Sequence, residues 1–360
     1  MIKKRDVSLD IISGILIILI ILYHAAQWAK LSDTEIYKNA LNFFYFLMPW
    51  FYFKSGYVHN DSYSFRKMFK VSLSPLIFLL VIGTLIGYIF TLPGLIRSGE
   101  SIFVIIAKPF LYLIKSGMTL GNPPLWFLLS LFFVKVIISF IVKLSYKLIG
   151  LSIIAFVCVG WAQSFYFPNL NLGAHQALPL GISFSLLGYL YRKKKVITKI
   201  SNYKIPVILV TLLSSIFMTS YVHVHFNELR YGSYWIYFIN CVLAISSILI
   251  IFKYITWKPL IWIGQRTFIF FIVHWPLFFI IYQICRLLDV SRSGWIFMYI
   301  LSIFATLGSI IIAYYFPHKY LISASSRIVE LGKIKLKKTP IAKFFYKANP
   351  TKSENRINEN

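Results

Sequence analysis

Residues 10–28, DIISGILIILIILYHAAQW, are an apolar run with a histidine inside it. At 1.5 Å of rise per residue, a helix of this length crosses a hydrocarbon core of about 30 Å. Wound as that helix, the run places Asp10, Ser13, Gly14, Ile17, Ile20, Ile21, His24, Gln27 and Trp28 on one face. Its strongly polar groups all lie on that stripe. A helix that faced only lipid would have no use for it. An ionisable residue within a membrane helix is costly and marks a candidate functional site. The plain alternative is a histidine satisfied by a neighbouring helix.

Composition sets the class. The chain is 58% hydrophobic and 13% charged, with a mean hydropathy of +0.73, which excludes an ordinary soluble domain. It carries 37 Lys and Arg against 11 Asp and Glu. The basic residues lie between apolar runs and in the tail, as the positive-inside rule expects, so nucleic-acid binding is disfavoured. Cys158, Cys241 and Cys285 fall in or beside apolar runs without metal spacing and read as small buried hydrophobes.

The pattern predicts an all-α integral membrane protein of about ten transmembrane helices, at 10–29, 40–58, 72–92, 124–142, 149–167, 176–191, 205–222, 234–252, 262–285 and 294–316. Basic connectors then fall on one side, which places both termini in the cytoplasm, in a cell membrane. The basic start of the chain fits a signal peptide, but nine further spans favour a polytopic protein. The short run 102–114 carries Lys108 and Pro109 and is expected to be re-entrant or interfacial. Residues 1–320 form the membrane domain, and 321–360 a basic, partly disordered tail.

No acidic residue falls in the middle of a predicted span; Asp10 sits at a span's start. Ion-coupled transporters need intramembrane carboxylates, so this composition weighs against one. Only His24 and His274 lie inside spans. Asp10 to His24 is about 21 Å of helix rise, and Trp262 to His274 about 18 Å. Matched depth points to one shared site. No third ligand is apparent there, so no metal is expected.

At this point the residues carry a resemblance. His24 in a first span that opens with Arg5, Asp6, Asp10 and Gly14 resembles the acyltransferase-3 family of membrane O-acyltransferases, most closely its fucose 4-O-acetylase-like branch. FYFLMPWFYFKSGYV resembles the family's FFxxSGY signature, with Ser55, Gly56 and Tyr57 in place. LWFLLSLFFVK (125–135) resembles its LWFL segment, and FIVHWPL (271–277) its later H-x-P element. The resemblance implies transfer of an acyl group, in the first place acetyl from acetyl-CoA, to a hydroxyl of a cell-surface or lipid-linked glycan. Membrane lipids, acyl-CoA and the glycan are then the partners. A non-enzymatic polysaccharide exporter or flippase is the alternative.

Within that reading His24 is the expected general base, with Asp10 and His274 beside it; imidazole suits the role because it titrates near neutrality. Asp10 equally suits the positive end of its own helix. Lys54, Lys135, Arg66, Lys67 and Arg266 are expected at the donor, and Ser55, Tyr57 and Trp126 at the acceptor. Lys135 is a cation deep in a span without an acid at that depth, so it points to an anion such as a donor phosphate; backbone carbonyls are the alternative. Many relatives carry a basic residue eleven positions before the histidine, where this chain has Ser13. The resemblance implies that the charge comes from another helix, with Lys54 or Lys135 to supply it, or that the protein is inactive.

Overall fold

A computed structural model describes residues 6–167, 173–221 and 233–316. The expected tail, 321–360, lies outside them. Among the described residues the chain is helical and free of strands. The helices are α1 (Val7–Trp28), α2 (Glu35–Phe43), α3 (Leu47–Tyr57), α4 (Phe65–Met68), α5 (Ser74–Arg97), α6 (Ile102–Ser116), α7 (Trp126–Ile141), α8 (Tyr146–Tyr166), α9 (Leu178–Lys193), α10 (Val196–Ile200), α11 (Lys204–Tyr221), α12 (Tyr234–Ile251), α13 (Lys258–Gly264), α14 (Thr267–Leu287) and α15 (Gly294–Tyr315). A π-helical turn, Phe69–Leu73, joins α4 to α5.

Eight helices among the described residues are long and apolar enough to cross a membrane. The other two expected spans are carried by shorter helices that pack inside the bundle, α3 with 11 residues and α9 with 16. The expected 40–58 span is broken at residues 44–46, where Pro49 leaves the Tyr45 carbonyl without its helical donor. Proline lacks the N–H that would bond the carbonyl four residues earlier, and its ring crowds that carbonyl. Tyr237 of α12 donates its hydroxyl to the freed Tyr45 carbonyl at 3.1 Å. The expected 262–285 span also divides, at Gln265 and Arg266, where Thr267 donates its hydroxyl to the Gly264 carbonyl at 2.7 Å.

The run around 102–114 is the helix α6, capped by Ser101 and closed by Gly117 in the left-handed region (φ 63°). Pro109 frees the carbonyl of Ile105, which accepts the Tyr88 hydroxyl. Ile105 is buried, whereas Phe103, Phe110, Leu111 and Ile114 are exposed.

α1 starts at Asp6, whose side chain accepts from the Ser8 backbone N–H, and Asp10 adds a carboxylate to the first turn. Its polar stripe faces inward: Asp10, Ser13, Gly14, Ile17, Ile20 and Ile21 are all buried. Small residues bring its neighbours close. A Cβ at Gly14 would collide with the Leu260 carbonyl of α13, and one at Gly264 with the Asp10 carbonyl. α3 and α9 meet in the same way: Gly56 faces the Ser185 carbonyl and Gly188 the Phe53 carbonyl. Such contact between backbones suits helices in lipid, where apolar side chains gain little from meeting one another.

Gly56→Ala is therefore expected to lower the melting temperature in detergent by the equivalent of about 1–3 kcal/mol, the usual cost of overpacking. Gly150→Ala, where nothing lies within 4 Å of the added carbon, is the control and should leave stability unchanged or slightly raised.

Candidate active site

α1 and α14 bring the two span histidines together. The rings of His24 and His274 lie 5.4 Å apart, nearly parallel at 21°. Tyr23 and Trp275 meet His24 edge-on, with centroids at 5.1 and 5.4 Å. These contacts hold the imidazole in one orientation. Gln27, one turn along α1, places its Oε1 2.9 Å from His24 Nδ1. A carbonyl oxygen only accepts, so Nδ1 is the donor, and in the neutral ring Nε2 keeps its lone pair. Tyr23 accepts from Gln27 Nε2 at 3.1 Å and so fixes the amide. His274 is fully buried. Its Nδ1 donates to the Phe270 carbonyl at 3.0 Å, and its Nε2 has no hydrogen-bond partner among the described residues.

A second cluster lies toward the start of α1. Lys54 of α3 donates to Ser13 Oγ at 2.8 Å and pairs with Asp10 Oδ1 at 3.4 Å. Trp50 Nε1 donates to the same Ser13 oxygen at 3.1 Å, and Gln265 reaches Asp10 Oδ2 at 3.5 Å. The position eleven residues before His24, where a basic residue is expected, thus holds a serine with the Lys54 ammonium resting on its hydroxyl. Asp10 belongs to this cluster; four turns of α1 separate it from His24.

Three cavities lie in this part of the bundle, each sharing lining residues with the next. A small one of about 30 Å³ is lined by Tyr23, His24, Met48, Pro124, Trp126 and Phe271. A second, about 150 Å³, lies between Phe51, Lys54, Ser55, Phe127, Lys135 and Phe271. The third, about 510 Å³, is lined by His59, Asp61, Tyr63, Lys135, Arg192 and Lys193. Phe271 is common to the first two, and Lys135 and Val58 to the second and third.

Lys135 makes no hydrogen bond or ion pair among the described residues. At the wide end, Lys193 pairs with Asp61 at 2.7 Å, and the Tyr189 hydroxyl donates to the same carboxylate at 2.9 Å. Burial, with Lys135 and Arg192 nearby, pulls His59 down to about 4 despite the opposing Asp61. His59 is therefore neutral at pH 7, and the positive field there comes from Lys135, Arg192 and Lys193.

The remaining expected site residues divide. Ser55 lines the middle cavity with a buried hydroxyl that has no partner among the described residues. Trp126 lines the histidine cavity. Tyr57 packs on Phe53, with centroids 5.9 Å apart, and lines none of the three cavities. Arg66 and Lys67 are exposed, with Lys67 over the Tyr63 ring at 4.6 Å. Arg266 stacks on Trp262 at 4.2 Å. Sequence reasoning missed Gln27 as the partner of His24, although it shares that face of α1. It also read Arg192 and Lys193 only as part of a basic connector. Among the described residues no group of three or more His, Cys, Asp and Glu is arranged to hold a metal ion.

The arrangement sets an imidazole at one end of a series of neighbouring cavities and a group of cations at the other. The Lys54–Asp10 pair at its flank is itself testable. Their side chains are 18% and 2% exposed, so Lys54→Met should destabilise the protein by about 1–3 kcal/mol, read as a lower melting temperature. Adding Asp10→Asn should recover much of the loss. A double variant no more stable than Lys54→Met would show that the ion pair is not what Lys54 contributes.

No curated protein and no solved structure matches the chain. A family model, described as an acyltransferase domain, matches residues 6–315, a stretch that includes α1 with His24, the SGY turn of α3, the start of α7 and the His274 turn of α14. The chain belongs to the acyltransferase-3 family and is a multi-pass membrane acyltransferase.

Proposed function

We propose that the protein transfers an acetyl group from acetyl-CoA to a hydroxyl of a cell-surface or lipid-linked glycan, in the manner of the fucose 4-O-acetylase-like branch. The observation that carries this reading is the run of three adjoining cavities from Arg192 and Lys193 to His24. The wide end suits a phosphorylated nucleotide: Lys135, Arg192 and Lys193 outnumber the one carboxylate lining it, Asp61. The middle cavity, walled by Phe51, Phe127, Leu131 and Phe268, suits the thin pantetheine arm. The last has room for about two water molecules, which favours the smallest acyl groups over succinyl or longer ones. The basic connectors favour a cytosolic wide end, with both termini on that side of the cell membrane.

In this reading His24 Nε2 takes the proton of the acceptor hydroxyl as its oxygen attacks the thioester carbonyl. The carbon–sulfur bond then breaks, and the imidazolium returns the proton to the leaving CoA thiolate, so atoms and charge balance. Gln27 holds His24 in the tautomer that leaves Nε2 free, and accepts from Nδ1 while the ring is charged. Lys54 and Ser55 border the donor arm, and Trp126 borders the His24 cavity on the acceptor side.

Purified protein given acetyl-CoA and a glycan acceptor should form acetylated glycan. His24→Ala should lower turnover about 10²–10⁴-fold while leaving membrane expression intact. Glycan acetylation at the normal rate by His24→Ala removes the general-base assignment. Absence of transfer by the unaltered protein, with transport of glycan retained, would favour the exporter reading.

Donor binding is tested separately. Lys135→Met should raise the Kd for acetyl-CoA about ten- to a hundredfold, the worth of one charge-assisted hydrogen bond, with acceptor binding unchanged. Calorimetric titration into solubilised protein reads this directly. An unchanged Kd would place Lys135 outside the donor site.

A further inference from the structure

α14 carries a proline two residues after His274, and Pro276 has no N–H for the carbonyl of Ile272. In lipid that carbonyl needs another donor. It receives one from a segment 150 residues away: Asn122 Nδ2 donates to it at 2.9 Å. Asn122 is fully buried in the connection between α6 and α7. That connection is itself tightly held, with Gly121 at φ +79° against the Gly87 backbone of α5 and Thr119 bonded to the Asn122 carbonyl. The amide is used for its N–H alone, since Oδ1 is buried and has no partner among the described residues. Two of the residues that follow, Pro124 and Trp126, line the His24 cavity, and Phe271, beside Ile272, lines both that cavity and the middle one.

We infer that Asn122 is a positioning residue: its amide replaces the peptide N–H missing at Pro276 and so sets the turn of α14 that stacks His274 on His24. This rests on the reading of the histidine pair as the reacting centre. The same bond ties the Trp126 wall to the His274 turn, so the acceptor side and the base are located by one contact. Asn122 touches no reacting atom in this account; it acts through α14.

The test is a double-variant cycle of Asn122→Leu and Pro276→Ala, with melting temperature and acetyl-transfer kinetics measured on all four proteins. Alanine at 276 restores the helical N–H to Ile272, so the amide becomes unnecessary. Asn122→Leu alone should lower the melting temperature by several degrees and kcat about tenfold, with the KM for acetyl-CoA within about twofold. In the Pro276→Ala background the same substitution should change the melting temperature little and kcat by less than about threefold. Should Asn122→Leu alone fail to fold, the double variant is expected to fold. Equal damage in both backgrounds overturns the inference, as does no effect in the proline background or a loss seen only in KM. Should the unaltered protein transfer no acetyl group, the function reading fails, and the melting cycle alone still upholds or overturns the bond from Asn122 to the α14 turn.

Discussion

A helix surrounded by hydrocarbon has no water to satisfy a carbonyl that its own ladder leaves free, and a proline inside a helix creates one. Among the described residues three such carbonyls receive a side chain from another element. Tyr237 reaches the carbonyl freed by Pro49, Tyr88 the one freed by Pro109, and Asn122 the one freed by Pro276. Each bond joins segments that no helical periodicity would link. Each also fixes the angle and register of an interrupted helix against the rest of the bundle. Pro49 and the carbonyl freed by Pro276 lie beside the His24 cavity: Met48, next to Pro49, borders it, and Phe271, next to Ile272, borders it from α14.

The same rule governs the polar stripe of α1. Asp10 and Ser13 are buried because Lys54, Trp50 and Gln265 reach them from α3 and the α13–α14 junction. Glycines on both sides let the backbones approach closely enough for those bonds to form. Further along, Gln27 and Tyr23 satisfy His24 from α1 itself. One end of the stripe is thus an ion pair with its shell of donors, and the other is an imidazole among aromatic rings. The two environments favour opposite things, a held charge at Asp10 and Lys54 and a free lone pair at His24.

Much of this was legible in the sequence, and the limits are physical. Long apolar runs announce membrane helices, and the inward stripe of α1 follows from 3.6 residues per turn. The matched depths of His24 and His274 follow from helix rise alone, although the break at Gln265 and Arg266 means α14 starts later than a single 262–285 span implies. The break at residues 44–46 stayed hidden because a proline in an apolar run is compatible with either a kink or a new helix. Between Lys54 and Lys135 the sequence left open which cation stands near Ser13; the approach of α3 to α1 selects Lys54. Arg192 and Lys193 resemble any basic connector until the end of α9 is seen beside Asp61. Asn122 gives no signal at all, because its partner is a backbone carbonyl.

The division of labour between the lysines follows from these surroundings. Lys54 is engaged by Ser13 and by a carboxylate, so its charge is largely neutralised where it stands. Lys135 borders both larger cavities and has no carboxylate beside it among the described residues, so its charge projects into open space. Asp61 offsets Lys193 at the third cavity, which among the described residues leaves Arg192 and Lys135 as the cations without an ion pair there. An anionic ligand entering there meets a field that continues inward from Arg192 to Lys135. Beyond Lys135 most of the walls are aromatic and aliphatic, with Lys54, Ser55 and Thr267 as the polar exceptions in the middle cavity. On the proposed reading, a donor charged at one end and slender at the other enters with its charged end at Arg192 and Lys135 and its acyl end toward the imidazole.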